Sequence, residues 1–197
     1  MLTTSIADAF RDFCDREGID HERLAGLVRD SYGSADGSSL VARVEVGEIT
    51  GEEFERELAR VLSEGLESPV AAEELVERML DGIELEPRMI DAVRRAREAG
   101  TATALLSNSW SSRQYWVEGY EPTELFDAVI ISGEVGLRKP DPRIYHLAAE
   151  RLGLSPDVCV FVDDFRENVD AAAGVGMHAL HHEDVELTLA RLDTLFR

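Results

Sequence analysis

Lysine is all but missing from this chain of 197 residues. Of its 20 Lys+Arg positions only Lys139 is a lysine, in the run Gly136-Leu137-Arg138-Lys139-Pro140-Asp141-Pro142. An ammonium is a compact point charge with three donors, whereas a guanidinium is a broad planar fork. One lysine beside Arg138 therefore marks a place where a point charge must fit among anions, unless it is merely an exposed residue before a turn. Positive charge is scarce throughout: 40 Asp+Glu leave a formal net charge of −20. That excludes nucleic acid and anionic membrane surfaces as expected partners, because both are bound by clustered cations. Cysteine is limited to Cys14 and Cys159, one on an expected helix and one in an expected strand. Two such residues read as reduced thiols and exclude a disulfide framework. No apolar run is long enough for a membrane span and Met1-Leu2-Thr3-Thr4 shows no signal peptide, so the expected location is the cytoplasm.

What is present suffices for a core, since 44% of residues are hydrophobic. The length fits one α/β core with an insertion, or two small domains. From Ser5 to about Asp81 apolar residues recur at helical spacing, as in Ile6, Ala9, Phe10 and Phe13. Thr50-Gly51-Glu52-Glu53 reads as a capping box ahead of Phe54, Leu58 and Leu62, and Ser68-Pro69 as the start of another helix. This part is expected to hold four or five helices and no strand.

From Pro87 the period changes. Expected helices are Pro87–Ala99, one around Tyr115, Pro142–Leu152, Glu167–Ala173 and about Asp184–Leu195. Expected strands are Thr101–Leu106, Ala128–Ile131, Val158–Val162 and Met177–Leu180. Strands alternating with helices imply an α/β fold with a doubly wound parallel sheet. Such sheets bind ligands beyond the carboxyl ends of their strands. Ser107, Lys139, Asp163 and Asp164 all fall in loops at that end.

A hydroxyl, an ammonium and two carboxylates gathered there suit phosphate held beside a divalent cation. Ser107 and the groups after it can donate to phosphate oxygens, Lys139 can neutralise them, and paired carboxylates supply hard ligands for Mg²⁺. Each residue also has a plain reading. Ser107 alone could be a turn residue, Asp163-Asp164 a helix N-cap, Asn168 helix surface, and His181-His182 solvent-facing. Trp110, Tyr115 and Trp116 serve equally as a substrate mouth or as packing.

Taken in order, Leu105-Leu106-Ser107-Asn108, Phe126-Asp127-Ala128 through Lys139-Pro140-Asp141-Pro142, and Val160-Phe161-Val162-Asp163-Asp164 with Asn168 resemble the haloacid dehalogenase superfamily. The nearest branch is the phosphatase-type N-terminal domain of soluble epoxide hydrolases and its bacterial relatives. The resemblance implies a Rossmann-like core formed by residues 1–4 and 85–197, with a helical cap at 5–84. It implies that Ser107 and Lys139 are catalytic, that Ser107, Asn108, Ser109 and Lys139 bind phosphate, and that Asp164 and Asp163 ligate Mg²⁺ with Asn168 in support. The implied reaction is aspartate attack on a small phosphomonoester, an aspartyl-phosphate, then hydrolysis.

The sequence departs from that pattern at its first motif. Family members open with a central strand ending in the nucleophilic aspartate, and Met1-Leu2-Thr3-Thr4-Ser5 resembles the stretch after it. The expectation is a core missing its first central strand, with Leu2–Thr4 or a neighbouring chain covering part of the gap, and little turnover from this chain. Two other functions stay open: a non-catalytic phosphate-ester-binding or regulatory protein, and a 2-haloacid dehalogenase, against which the acidic pair counts. A receiver domain would carry these groups in the opposite order. The expected partner is a small phosphorylated molecule, and a homodimer stays open.

Overall fold

The computed structural model describes residues 2–33, 38–110 and 122–195. It divides into two compact units, Thr3–Glu84, and Leu85–Arg197 with Met1–Leu2. The helix expected around Tyr115, with Tyr115 and Trp116, lies outside the described residues.

The first unit holds α1 (Ile6–Glu17), α2 (His21–Gly33), α3 (Leu40–Glu45), α4 (Gly51–Leu62) and α5 (Leu75–Met79). The capping box forms as expected. Thr50 Oγ1 accepts from the Glu53 amide at 3.2 Å, and the Glu53 carboxylate accepts from the Thr50 amide at 2.9 Å. Two donors that no helical carbonyl can reach are thereby satisfied. Spacing of three and four residues then puts Phe54, Leu58 and Leu62 on one buried face. The helix expected at Ser68-Pro69 starts instead at Leu75. Val70 is buried and its amide donates to Ser63 Oγ at 2.8 Å, which holds this stretch off a helical path. Among the described residues no helix is long and apolar enough to cross a membrane.

The second unit contains α6 (Pro87–Glu98), β1 (Ala104–Ser107), α7 (Pro122–Leu125), β2 (Ala128–Ile131), α8 (Ser132–Val135), α9 (Pro142–Leu152), β3 (Val160–Asp163), α10 (Arg166–Gly174), β4 (His178–His181) and α11 (Val185–Leu195). β1 runs parallel to β2 with Ala104 opposite Ala128 and Ser107 opposite Ile131. β3 runs parallel to β4 with Asp163 opposite His181. Alternation along the first pair shows how both faces are used. Ala104, Leu106, Ala128 and Ile130 face the cluster of Ile144, Tyr145, Ala148 and Ala149 on α9. Leu105, Val129 and Ile131 face the other way, toward Ile90 and Val93 of α6. Phe161 of β3 and Ala179 of β4 join the α9 cluster, so one apolar core underlies both strand pairs. This is the doubly wound α/β architecture.

The strand expected at Val158 begins at Val160; Pro156–Val158 is a 3₁₀ turn, with Val158 60% exposed. Its β-branched side chain reads as strand, but the proline two residues earlier favours the turn. Cys159 accordingly precedes β3, and both cysteines are free thiols.

The two pairs do not merge. Among the described residues the strands form two separate two-stranded sheets, with none between β1 and β3. Leu2–Thr4 does not take that place. In the second unit the Leu2 carbonyl accepts from the Glu86 amide at 2.9 Å; in the first, the Thr4 amide donates to the Glu84 carbonyl at 2.8 Å. Leu106, Val160 and Val162 stay partly exposed, although strands of a parallel sheet are ordinarily covered on both faces.

Candidate active site

Local chemistry sets the loop that carries Lys139. Gly136 closes α8 in the left-handed conformation at φ 66°, which suits a residue without Cβ. At the far end Asp141 caps α9, its carboxylate accepting from the Arg143 amide at 2.9 Å, with proline at the first helical position. The Arg143 guanidinium beside it holds the Asp141 carboxyl below the usual range. The loop is thus pinned on both sides.

Within it, Lys139 Nζ donates to Asp163 Oδ2 at 2.6 Å and to the Leu106 carbonyl at 3.1 Å. One ammonium therefore bridges the carboxyl ends of β1 and β3. The pair is buried, with 10% and 6% of the side chains exposed. Asp163 Oδ1 accepts from the Phe165 amide and from Asn168 Nδ2, each at 2.9 Å. Three donors on one carboxylate offset much of the cost of burying its charge. Asn168 is itself fixed because its carbonyl accepts from the Tyr145 hydroxyl at 2.9 Å, and Tyr145 stacks edge-on against Phe161.

The other expected residues are placed as follows. Ser107 ends β1 at the same edge. Asn108 uses its side chain on the backbone of Lys139, accepting from its amide at 2.8 Å and donating to its carbonyl at 2.9 Å. Ser109 is 2% exposed; its amide donates to Ser132 Oγ at 2.9 Å, and that hydroxyl donates back to the Ser109 carbonyl at 3.0 Å. Asp164 is exposed, and among the described residues no donor or cation holds its carboxylate, while its carbonyl accepts from His181 Nε2 at 3.0 Å.

Ser132, Gly133, Tyr145, His181 and His182 had no site role in the reading of the sequence. Ser132 seats the chain after β1, and Gly133 beside it is required because a Cβ there would lie 2.7 Å from Trp110 Cα. Tyr145 sits on the buried stripe of α9 and reads as core until its hydroxyl is traced. His181 and His182 are not solvent-facing: His181 holds the Asp164 carbonyl, and His182 Nδ1 lies 2.8 Å from Thr188 Oγ1. Asn108 and Asn168 did leave a signal, since they are the only asparagines in the chain.

Burial holds the His182 imidazole below its ordinary value near 6.5. The folded state therefore resists a proton that the unfolded chain accepts, and stability falls as pH drops below about 6.5. Lowering pH from about 7.5 to about 5.5 should reduce the urea midpoint of the wild type more than that of His182→Gln. Equal losses in both proteins would assign the acid sensitivity elsewhere.

Comparison with known proteins identifies several relatives. The chain is 31% identical to bifunctional epoxide hydrolase 2 of Sus scrofa over 87% of its own length, and spans 34% of that protein. It is 34% identical to phosphoserine phosphatase of Thermus thermophilus, covering 64% of this chain and 53% of that one. A haloacid dehalogenase family enzyme from Bacteroides thetaiotaomicron, solved in complex with magnesium and inorganic phosphate, shares its fold. The TM-score is 0.60 at 20% identity, over 86% of this chain and 91% of that one. The haloacid dehalogenase-like hydrolase model matches residues 3–176, and the chain belongs to that family.

Proposed function

We propose that this site receives a small phosphomonoester beside Mg²⁺, in the manner of a haloacid dehalogenase-like phosphatase. The observation that carries the reading is the state of Lys139. Two of its three protons are engaged by Leu106 and Asp163, and no described residue accepts the third. A buried ammonium over the Phe161 ring, with a third proton that no described residue accepts, is a ready partner for a phosphoryl oxygen at the carboxyl ends of two parallel strands. Ser107 ends β1 on the same side.

The donor set fits Mg²⁺, which keeps several waters and takes one or two carboxylates with substrate phosphate. Asp164 is exposed and unheld and would be the direct ligand; Asp163, already holding three donors, would contribute less. The ion would neutralise charge on the transferring phosphoryl group. Lys139 would hold the phosphoryl oxygens, and Asn168 would keep Asp163 turned toward Lys139. By the same resemblance, residues 5–84 are assigned the role of a cap selecting the substrate.

Of the two carboxylates at this end, Asp163 is a poor candidate for the attacking group. A carboxylate stabilised by an ammonium, an amide and an asparagine is a weak nucleophile. This favours the second reading, ester binding with negligible turnover, for the chain as it stands. Phosphate binding followed by calorimetry should tighten by roughly tenfold or more with Mg²⁺, revert in EDTA, and lose the metal effect in Asp164→Asn, given the several kcal/mol a bound cation can supply. Hydrolysis of an aryl phosphate should stay at background. Metal-independent phosphate binding would overturn the Mg²⁺ assignment, and metal-dependent hydrolysis would show that a nucleophile acts within these residues.

A further inference from the structure

We propose that Asn108 is a positioning residue that sets the reach of Lys139, and that its side chain does not touch substrate. A carboxamide offers one acceptor oxygen and two amide protons. Here the oxygen takes the Lys139 amide and the nitrogen serves the Lys139 carbonyl, at 2.8 and 2.9 Å. Two bonds to the backbone of a single residue fix its orientation as well as its position. The following residue is Pro140, which has no N–H with which to anchor the loop. A neighbouring backbone bond in the turn runs from the Asp141 amide to the Arg138 carbonyl, at 2.9 Å.

The same segment holds the other end of the lysine, because the Leu106 carbonyl accepts from Nζ at 3.1 Å. Two residues of strand rise about 6.6 Å, comparable with an extended four-carbon side chain. Leu106 to Asn108 thus acts as a splint along Lys139, gripping its root through Asn108 and its tip through Leu106. A free lysine side chain carries a large rotamer entropy. A splint removes that freedom before any ligand arrives, leaving the third proton aimed. The geometry stands on its own, while the consequence for phosphate rests on the phosphomonoester reading above.

The chain provides its own test, since a sample labelled with ¹⁵N-lysine has one backbone amide signal and one Nζ signal. In Asn108→Ala the Lys139 amide should exchange with solvent roughly tenfold faster than in the wild type, as expected for loss of one hydrogen bond. Asn108→Asp keeps the acceptor and loses the donor, so its amide should stay protected while the Nζ signal moves. Inorganic phosphate with Mg²⁺ should perturb Nζ at lower concentration in the wild type than in either variant. Unchanged amide exchange in Asn108→Ala, or amide and Nζ signals in Asn108→Asp identical to the wild type should the alanine variant not fold, overturns the proposal. Weakened phosphate binding with an undisturbed Lys139 would make Asn108 a direct ligand, and likewise overturns it. Should phosphate leave the wild-type Nζ unmoved while Asn108→Ala still accelerates the amide, the clamp is upheld and the phosphomonoester reading fails.

Discussion

Replacing Lys139 by alanine is expected to destabilise the protein by about 3–5 kcal/mol, the usual cost of stranding one member of a buried ion pair. Asp163 would keep the Phe165 amide and Asn168 Nδ2 but would face the core without a counter-charge. Lys139→Arg should fall between wild type and alanine. Charge is retained, yet a planar fork cannot occupy the space between Leu106 and Asp163 while its backbone is held by Asn108. The double substitution Lys139→Met with Asp163→Asn should recover part of the loss, because it removes both buried charges while a side-chain oxygen still accepts from Phe165 and Asn168. Urea unfolding with an unchanged slope is the measurement. An alanine variant within about 0.5 kcal/mol of wild type would mean that solvent reaches the pair.

The facing edges of β1 and β3 should make the second unit weak. Neither edge has a strand partner among the described residues, so its backbone groups forgo ladder bonds worth about 0.5–1.5 kcal/mol each. Among the described residues, Asn168 Oδ1 is a buried acceptor without a donor. Against a total stability of ~5–15 kcal/mol, a few such groups are decisive. The thermal midpoint is therefore expected below the ~45–65 °C range of mesophilic domains. Hydrogen exchange should show the cause: within β1 and β3, amides directed at the neighbouring β2 and β4 should be protected, and those at the open edge should exchange like loop amides. A cooperative melt above that range with uniform protection would show that both edges are satisfied.

Much of this was legible in the sequence, and the reasons are local. The capping box at Thr50, the proline and glycine bounding α9, and the apolar run Ala128–Ile131 are each decided by residues within a few positions. Their elements formed where spacing and turn chemistry placed them. Errors came where a distant contact, or a competing local turn, outweighed a residue's own preference. Ser68-Pro69 carries a helix-start signal, but burial of Val70 and its amide bond to Ser63 Oγ override it. Val158 reads as strand, yet the turn at Pro156 leaves it in solvent. The histidine pair looked solvent-facing because nothing in its own segment shows that Asp164 and Thr188 come within reach.

The sequence by itself determined the architecture and the set of polar groups gathered at the carboxyl ends of the strands, because periodicity and loop position follow from chain order alone. Only the tertiary structure decided how those groups divide their work. Asp163 and Asp164 are adjacent and chemically identical, but opposite sides of an extended chain differ in burial, so one locks Lys139 and the other faces solvent. Asn108 follows Ser107 in the chain, yet the packing of β1 against the Lys139 loop turns its amide onto backbone. Roles such as these depend on which atoms from distant segments end within 3 Å of one another, and no spacing within a single segment encodes that.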